Sequence, residues 1–256
     1  MSDNTAIQWT NRTWNIVTGC TRVSPGCANC YMFRSWPRLR GMGVPGYSGE
    51  PSQVHIWPER LAEPFKWSKR PQKAFVVSMG DLFHVNVPFP FVAETFEVMR
   101  QTPHVTYQLL TKRPGRLAFF AKNFVGTWPA NVWAGTSVEC PKYIPRADLL
   151  DAVPAPVRFL SCEPLLNPLN LGLQHRPWIN WVIAGGESGP NARPMNIEWV
   201  RSIRDQCHAT AVSFFFKQVG GVTPKAGGRF LDGRTWDELP LPSPRGVQSI
   251  ASKSGT

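Results

Sequence analysis

Cys20, Cys27 and Cys30 fall within eleven residues, in the run Trp14-Asn-Ile-Val-Thr-Gly-Cys-Thr-Arg-Val-Ser-Pro-Gly-Cys-Ala-Asn-Cys-Tyr31, with the spacing C-x6-C-x2-C. Two thiolates two residues apart can grip one metal or one cluster corner, and a loop containing Pro25 and Gly26 returns a third. Three legs leave one coordination position open, which separates a reactive site from a closed structural one. A [4Fe-4S] cluster held this way keeps one iron free for another ligand. Structural zinc is the alternative, with His55, His84 or Cys140 as fourth ligand, although no second C-x2-C or H-x3-5-H pair accompanies the three cysteines.

Short β-rich runs recur along the chain, and they are the elements that must carry such a loop. They are Asn15–Thr18, Ala74–Val77, Thr106–Leu110, Val132–Ala134, Val157–Leu160, Trp181–Ala184 and Val212–Phe216. Between them, Val92, Phe96 and Met99, and then Ile197, Val200, Ile203 and Cys207, recur at helical spacing. Strands alternating with helices predict an α/β fold with a parallel sheet. A partial or complete β/α barrel is preferred, an open doubly wound sheet being the second choice. In such barrels catalytic groups collect at the C-terminal ends of the strands. The polar residues here follow the strand candidates in that way: Ser78-Met-Gly-Asp81, Thr111-Lys-Arg113, Gly135-Thr-Ser-Val-Glu139, Ser161-Cys-Glu163, Gly185-Gly-Glu187 and Lys217-Gln218. The cysteine loop follows the first candidate and is expected on the same face.

The chain divides into a barrel domain over residues 1–219, a small hairpin-like extension over 220–240 with Asp232-Gly233 as its turn, and a disordered tail over 241–256. The polar start of the chain has no signal-peptide core, and no apolar run approaches the roughly 20 residues of a membrane span. A cytoplasmic protein is therefore expected, and its six cysteines read as ligands or buried thiols. Net charge is +11, and residues 4–49 hold Arg12, Arg22, Arg34, Arg38 and Arg40 without one acid. Such a field favours a polyanionic partner, nucleic acid first among them.

Several segments together resemble a known group of proteins. The Trp14–Tyr31 run, Ser78-Met-Gly-Asp-Leu-Phe-His84, Leu110-Thr-Lys-Arg-Pro114, Arg158-Phe-Leu-Ser-Cys-Glu-Pro-Leu-Leu166, Gly185-Gly-Glu-Ser-Gly-Pro190 and Phe215-Phe-Lys-Gln218 are similar to a phage-associated, largely uncharacterised three-cysteine-motif family. That family resembles radical S-adenosylmethionine (SAM) enzymes and, distantly, spore photoproduct lyase. The resemblance implies a partial α/β barrel whose Cys20, Cys27 and Cys30 hold a [4Fe-4S] cluster, with SAM at the open iron. It implies that Ser78, Met79, Gly80 and Asp81 meet the SAM amino group, and that Ser137 and Glu139 read its ribose or carboxylate. Gly185, Gly186 and Glu187 would approach the adenine or the substrate. The reaction implied is radical chemistry through a 5′-deoxyadenosyl radical, fed by an external electron donor and directed at DNA or a nucleotide, as base modification or lesion reversal. The sequence departs from the wider superfamily twice: six residues, not three, separate the first two cysteines, and Asn29 stands where an aromatic usually precedes the third.

His84, Cys140 and Glu163 are the catalytic candidates. His84 lies in a strand-to-helix loop, where hydrogen bonding or capping is the alternative to proton transfer. Cys140, just past a strand end, is placed to donate a hydrogen atom. Glu139, Glu163 and Glu187 have a competing reading as ion-pair partners of Lys112, Arg113 and Lys217. Cys162 and Cys207 read as buried small hydrophobes. Trp9, Trp14 and Trp36 could stack a base, with core packing as the alternative. The other class of function that these features allow is a non-catalytic nucleic-acid-binding protein stabilised by a zinc site.

Overall fold

A computed structural model describes residues 5–223 and 226–240, so the tail expected to be disordered lies outside the described residues. Seven parallel strands form one sheet in chain order: β1 (Arg12–Trp14), then β4 (Gln72–Val76), β5 (Val105–Thr111), β6 (Val132–Ser137), β7 (Arg158–Cys162), β8 (Trp181–Gly185) and β9 (Ser213–Gln218). A separate antiparallel pair, β2 (Val17–Thr18) and β3 (His55–Ile56), makes up the strand numbering. Each strand of the large sheet pairs in parallel with the next, and the sheet curls into a half-barrel. The α/β partial barrel of parallel strands is the architecture observed.

Period-2 alternation sorts the strand side chains onto two faces. Tyr107, Leu109, Ala134, Leu160, Cys162, Val182, Phe214 and Phe216 point outward into the large core beneath the helices. Phe75, Trp133, Phe159, Trp181, Ile183 and Phe215 point to the concave side and fill its floor. Trp9, from the segment ahead of β1, plugs that floor with its ring 4.8 Å from Phe75 and 6.2 Å from Trp181. The concave side is therefore packed at the bottom and open only at the C-terminal strand ends. Burying one large side chain of this kind contributes about 1.5–3 kcal/mol.

The helices follow from the patterns that announced them. In α2 (Phe89–Gln101) Val92, Phe96 and Met99 are all buried. In α5 (Ile197–Ala209) Val200, Ile203 and Cys207 are fully buried, and the Asn196 side chain caps the helix by accepting from Glu198 N at 2.9 Å. The helix α3 (Pro114–Asn123) starts with proline, which needs no amide partner there. The short α4 (Pro145–Asp148) carries Arg146. Directly after Cys30 comes α1 (Tyr31–Gly41), whose buried Met32 and Trp36 close a small cluster with Tyr47.

The first strand lies elsewhere than expected. Arg12–Trp14 joins the sheet, whereas Val17–Thr18 of the expected Asn15–Thr18 strand pairs with His55–Ile56. The chain leaves the sheet at Asn15 because that side chain is taken by the next loop: its Oδ1 accepts from Ser78 Oγ and Met79 N, each at 3.1 Å. At the other edge, Asp232 and Gly233 have φ of 52° and 80° and turn the chain between the bridged Leu231 and Arg234. The segment leaving this turn bridges β9, with Phe216 N donating to Trp236 O at 2.9 Å, so that edge of the sheet is partly covered. Among the described residues no helix is long and apolar enough to cross a membrane.

Candidate functional site: a cysteine loop seated on strand-end carboxylates

The cysteine loop lies across the open end of the half-barrel. It enters at Gly19, whose N donates to Met79 O at 3.0 Å. Gly19 has φ of 87°, and a Cβ there would stand 2.0 Å from Gln53 O, so only glycine fits. Cys20 N then donates to Pro51 O at 2.9 Å. Pro25–Cys27 forms one 3-10 turn, and Cys30 caps α1.

Three carboxylates, from beyond β4, β6 and β8, hold this loop down. Asp81, 5% exposed, accepts from Thr111 Oγ1 at 2.7 Å, Phe83 N at 3.0 Å and Arg113 Nη1 at 2.8 Å. The same guanidinium reaches Thr21 Oγ1 at 2.9 Å and Cys20 Sγ at 3.6 Å. Glu139 is completely buried and accepts from Ser24 Oγ at 2.6 Å. Lys112 at 3.2 Å and Arg146 at 3.0 Å neutralise it. A Cβ on Gly26 would stand 2.5 Å from Glu139 Oε1, so the turn can rest on this carboxylate only because residue 26 has no side chain. Glu187 accepts from Asn29 Nδ2 at 2.8 Å and from Arg193 Nε at 2.9 Å, and Arg193 in turn donates to Pro25 O at 3.1 Å. Burial alone would raise the Glu187 carboxyl, but the hydrogen bonds from Arg193 and Asn29 outweigh it and hold it at about 2.

The fourth support is His84. Its Nδ1 accepts from Asn86 N at 3.1 Å, so Nε2 carries the proton and donates to Thr21 Oγ1 at 2.8 Å. Burial, with the nearby Arg113 charge second, lowers its pKa and keeps it neutral. The hydrogen-bonding role is the one observed for this residue.

Cys20 and Cys30 pack against the same apolar cluster of Met32, Trp36, Tyr47 and Met79, and Cys27 is 8% exposed. Burial first, then the Asp81 charge, pushes the Cys20 thiol up to about 11, with Arg113 acting against them. The three thiols share one edge of the fold, but among the described residues no three His, Cys, Asp or Glu side chains converge as a metal site. By donor type the three cysteines would suit an iron–sulfur cluster, with soft thiols, a weakly polar surround and an N–H directed at one sulfur. For zinc, two of the three expected fourth ligands, the histidines, are ill placed. His84 is committed to Thr21 and Asn86, and His55 is an exposed residue of β3.

The remaining candidates separate into occupied and open groups. Ser78 Oγ is bound to Asn15, and Ser78 O accepts from the Tyr31 hydroxyl. Gly80 bridges Gly19. Gly186 serves the fold, since a Cβ there would stand 1.8 Å from Val219 O. The carbonyl of Cys140 accepts from Tyr143 N in the turn that follows β6. Cys162 and Cys207 are fully buried, and burial pushes both thiols up. Trp9, Trp14 and Trp36 are core residues and offer no face to a base. On the concave face near the strand ends lie Ser137 and Ser161, each 3% exposed, and the ion pair of Glu163 with Lys217, whose Nζ lies 2.5 Å from Oε1.

Thus Asp81, Glu139 and Glu187, all expected to meet SAM, spend their carboxylates on the chain itself. Sequence reasoning missed Ser24, Asn29 and Arg193 as partners of Glu139 and Glu187, and Thr21 as the loop residue that Arg113 and His84 hold. One signal was there: the asparagine at position 29, where an aromatic was expected, is the residue that reaches Glu187 and Asn191 O. Arg40 also differs from expectation, because Glu50 comes to 3.6 Å from it.

Fold and site together define a class: a parallel α/β half-barrel with a three-thiol loop clamped over the C-terminal strand ends. The chain belongs to the DUF5131 family, described as proteins of unknown function, whose family model matches residues 4–240. No curated protein and no solved structure matches it.

Proposed function

We propose that this protein is an iron–sulfur enzyme of the radical SAM type acting on DNA or a nucleotide. The observation that carries the reading is that the loop bearing all three cysteines lies over the C-terminal strand ends of a parallel half-barrel. Cys20, Cys27 and Cys30 would hold the cluster. Cluster and SAM, when bound and given one electron by an external donor, would supply reductive cleavage of the sulfonium to methionine and a 5′-deoxyadenosyl radical able to take a hydrogen atom from the substrate. The chain contributes position and exclusion. Asp81, Glu139 and Glu187 fix the loop, Arg113 directs an N–H at the Cys20 sulfur, and the aromatic floor keeps water from the bottom of the half-barrel. Arg22, Arg34 and Arg38 are exposed, with Arg34 lying over Gly189 and Arg22 stacked 4.3 Å from the Phe33 ring centroid. These cations border the loop and suit phosphates.

The test is anaerobic purification followed by iron and sulfide analysis. About four irons and four sulfides per chain are expected, as that cluster type requires, with loss of colour in Cys27→Ala. Dithionite and SAM should then release 5′-deoxyadenosine, faster with DNA present. Colourless protein carrying one zinc after anaerobic reconstitution would replace this reading with the zinc-stabilised, non-catalytic one.

A further inference from the structure

Three of the strand ends are spent on the cysteine loop, and the groups left over are chemically distinct. Glu163 follows β7 and Lys217 belongs to β9, with β8 between them. They meet across Gly185, at the end of β8, where an added Cβ would be in ordinary contact with both, 3.4 Å from Lys217 Cβ and 3.7 Å from Glu163 Cδ. The ladder between β8 and β9 shifts register at this point, pairing Gly185 with Gln218, so Lys217 is the bulged residue. Bulges re-aim side chains and are frequent beside active sites. The pair keeps 19% and 18% of its side-chain surface exposed, at the mouth of the concave side. Beside it, Ser137 and Ser161 are register partners on β6 and β7, each 3% exposed. Both lie on the concave face, in line with Trp133 and Phe159. Their hydroxyls take no hydrogen-bond partner among the described residues. The mouth also borders the cysteine loop. Ser137 O accepts from Arg146 Nη1 at 3.0 Å, and the same guanidinium pairs with Glu139, on which Ser24 of the loop rests.

We propose that Glu163 and Lys217, with the hydroxyls of Ser137 and Ser161, form a recognition site for the hydrogen-bonding edge of an unpaired nucleobase. The proposal rests on the nucleic-acid part of the function proposed above. An acceptor-only carboxylate beside a donor-only ammonium complements a neutral group that presents an N–H beside an oxygen or nitrogen acceptor. The Watson–Crick edge of every base has that pattern. Such a ligand can part the ion pair and satisfy both ends without leaving a net charge buried. A phosphate cannot, because Glu163 repels it while one lysine attracts it. Phosphates belong instead on Arg22, Arg34 and Arg38, which take no carboxylate partner among the described residues. In a duplex the base edges are already paired. The site therefore demands a single strand, or a base turned out of the helix, beside the radical-generating loop.

Binding of fluorescein-labelled 12-mer oligonucleotides, followed by anisotropy at fixed salt, tests this. Wild type should bind single strands about tenfold more tightly than the matching duplex. Lys217→Met and Glu163→Gln should each lose most of that preference while duplex binding stays unchanged, since one good base contact is worth about tenfold. Arg34→Ala should weaken both forms alike. Glu163→Lys combined with Lys217→Glu restores an ion pair, and so a fold, yet reverses its polarity. It should bind single strands as poorly as the single variants do. Single-strand preference that survives all three variants overturns the base site and leaves the nucleic-acid reading standing. Failure of wild type to bind any oligonucleotide overturns both.

Discussion

Replacing Glu139 with glutamine removes one negative charge and almost no volume from beneath the cysteine loop. The carboxylate is fully buried, and it accepts from Ser24 while facing Lys112 and Arg146. Breaking a buried pair by removing one partner costs about 3–5 kcal/mol, because the opposite charge is left uncompensated. Lys112 keeps 21% of its side-chain surface exposed and Arg146 keeps 11%, so water offsets part of the loss. The lower end, about 3 kcal/mol, is therefore expected. In a chain of this size about 1 kcal/mol moves the melting temperature by about 2–4 °C, which gives about 6–12 °C for Glu139→Gln. Thermal melting by circular dichroism measures that, and amide exchange should show residues 19–30 losing protection ahead of the sheet. A cycle with Gly26→Ala isolates the local contact. The added methyl would stand 2.5 Å from Glu139 Oε1, so it should be costly in wild type and much less so in Glu139→Ala. A Glu139→Gln variant melting within about 2 °C of wild type, or additive Gly26 and Glu139 effects, would refute the seating of the loop on this carboxylate.

Other expectations follow from the same contacts. Glu187 has its carboxyl lowered from 4.5 to about 2, so its contribution is fully present above about 4.5 and is lost as pH falls towards about 2. The difference in urea midpoint between wild type and Glu187→Gln should therefore be constant from pH 7 to about 5 and vanish below about pH 2. Gly186→Ala, aimed at a backbone carbonyl 1.8 Å away, should abolish soluble expression, whereas Gly185→Ala meets only contacts of 3.4 Å and beyond and should melt near wild type. In DNA binding, Arg34→Ala and Arg38→Ala should each lower the log–log salt slope by about one, and Arg40→Ala by less because Glu50 already pairs it.

The fold was legible because its signals are local. Each inner strand of the sheet is a short apolar run with polar residues at its C-terminal end, and the helix stripes lie where their periodicity put them. The first strand was misplaced because Ile16-Val-Thr18 is a stronger β signal than Arg12-Thr-Trp14. What decides between them is Asn15, whose side chain binds a loop more than sixty residues later. The site was legible in its residues and not in its pairings. That acids and bases gather at the strand ends could be read directly. That Glu139 reaches Ser24 across 115 positions, and Glu187 reaches Asn29 across 158, could not be, since nothing in local spacing encodes such contacts.

Those long-range pairings also account for the cost of the loop. Apart from one 3-10 turn, residues 19–30 make no regular structure, and fixing each backbone residue costs roughly 1–2 kcal/mol. Apolar burial cannot offset this, because Thr21, Arg22, Val23, Pro25 and Ala28 are exposed. Charge-assisted hydrogen bonds to buried carboxylates are the interactions strong enough to do so, each contributing about 1.5–3 kcal/mol. One such carboxylate stands behind Cys20, one under the turn that carries Cys27, and one beside Asn29 between Cys27 and Cys30. Each thiol is thus held by an anchor on a different strand end. A shift of any one strand would move one cysteine relative to the other two. If the three thiols hold a cluster as proposed, the rigid sheet would keep them in place for it.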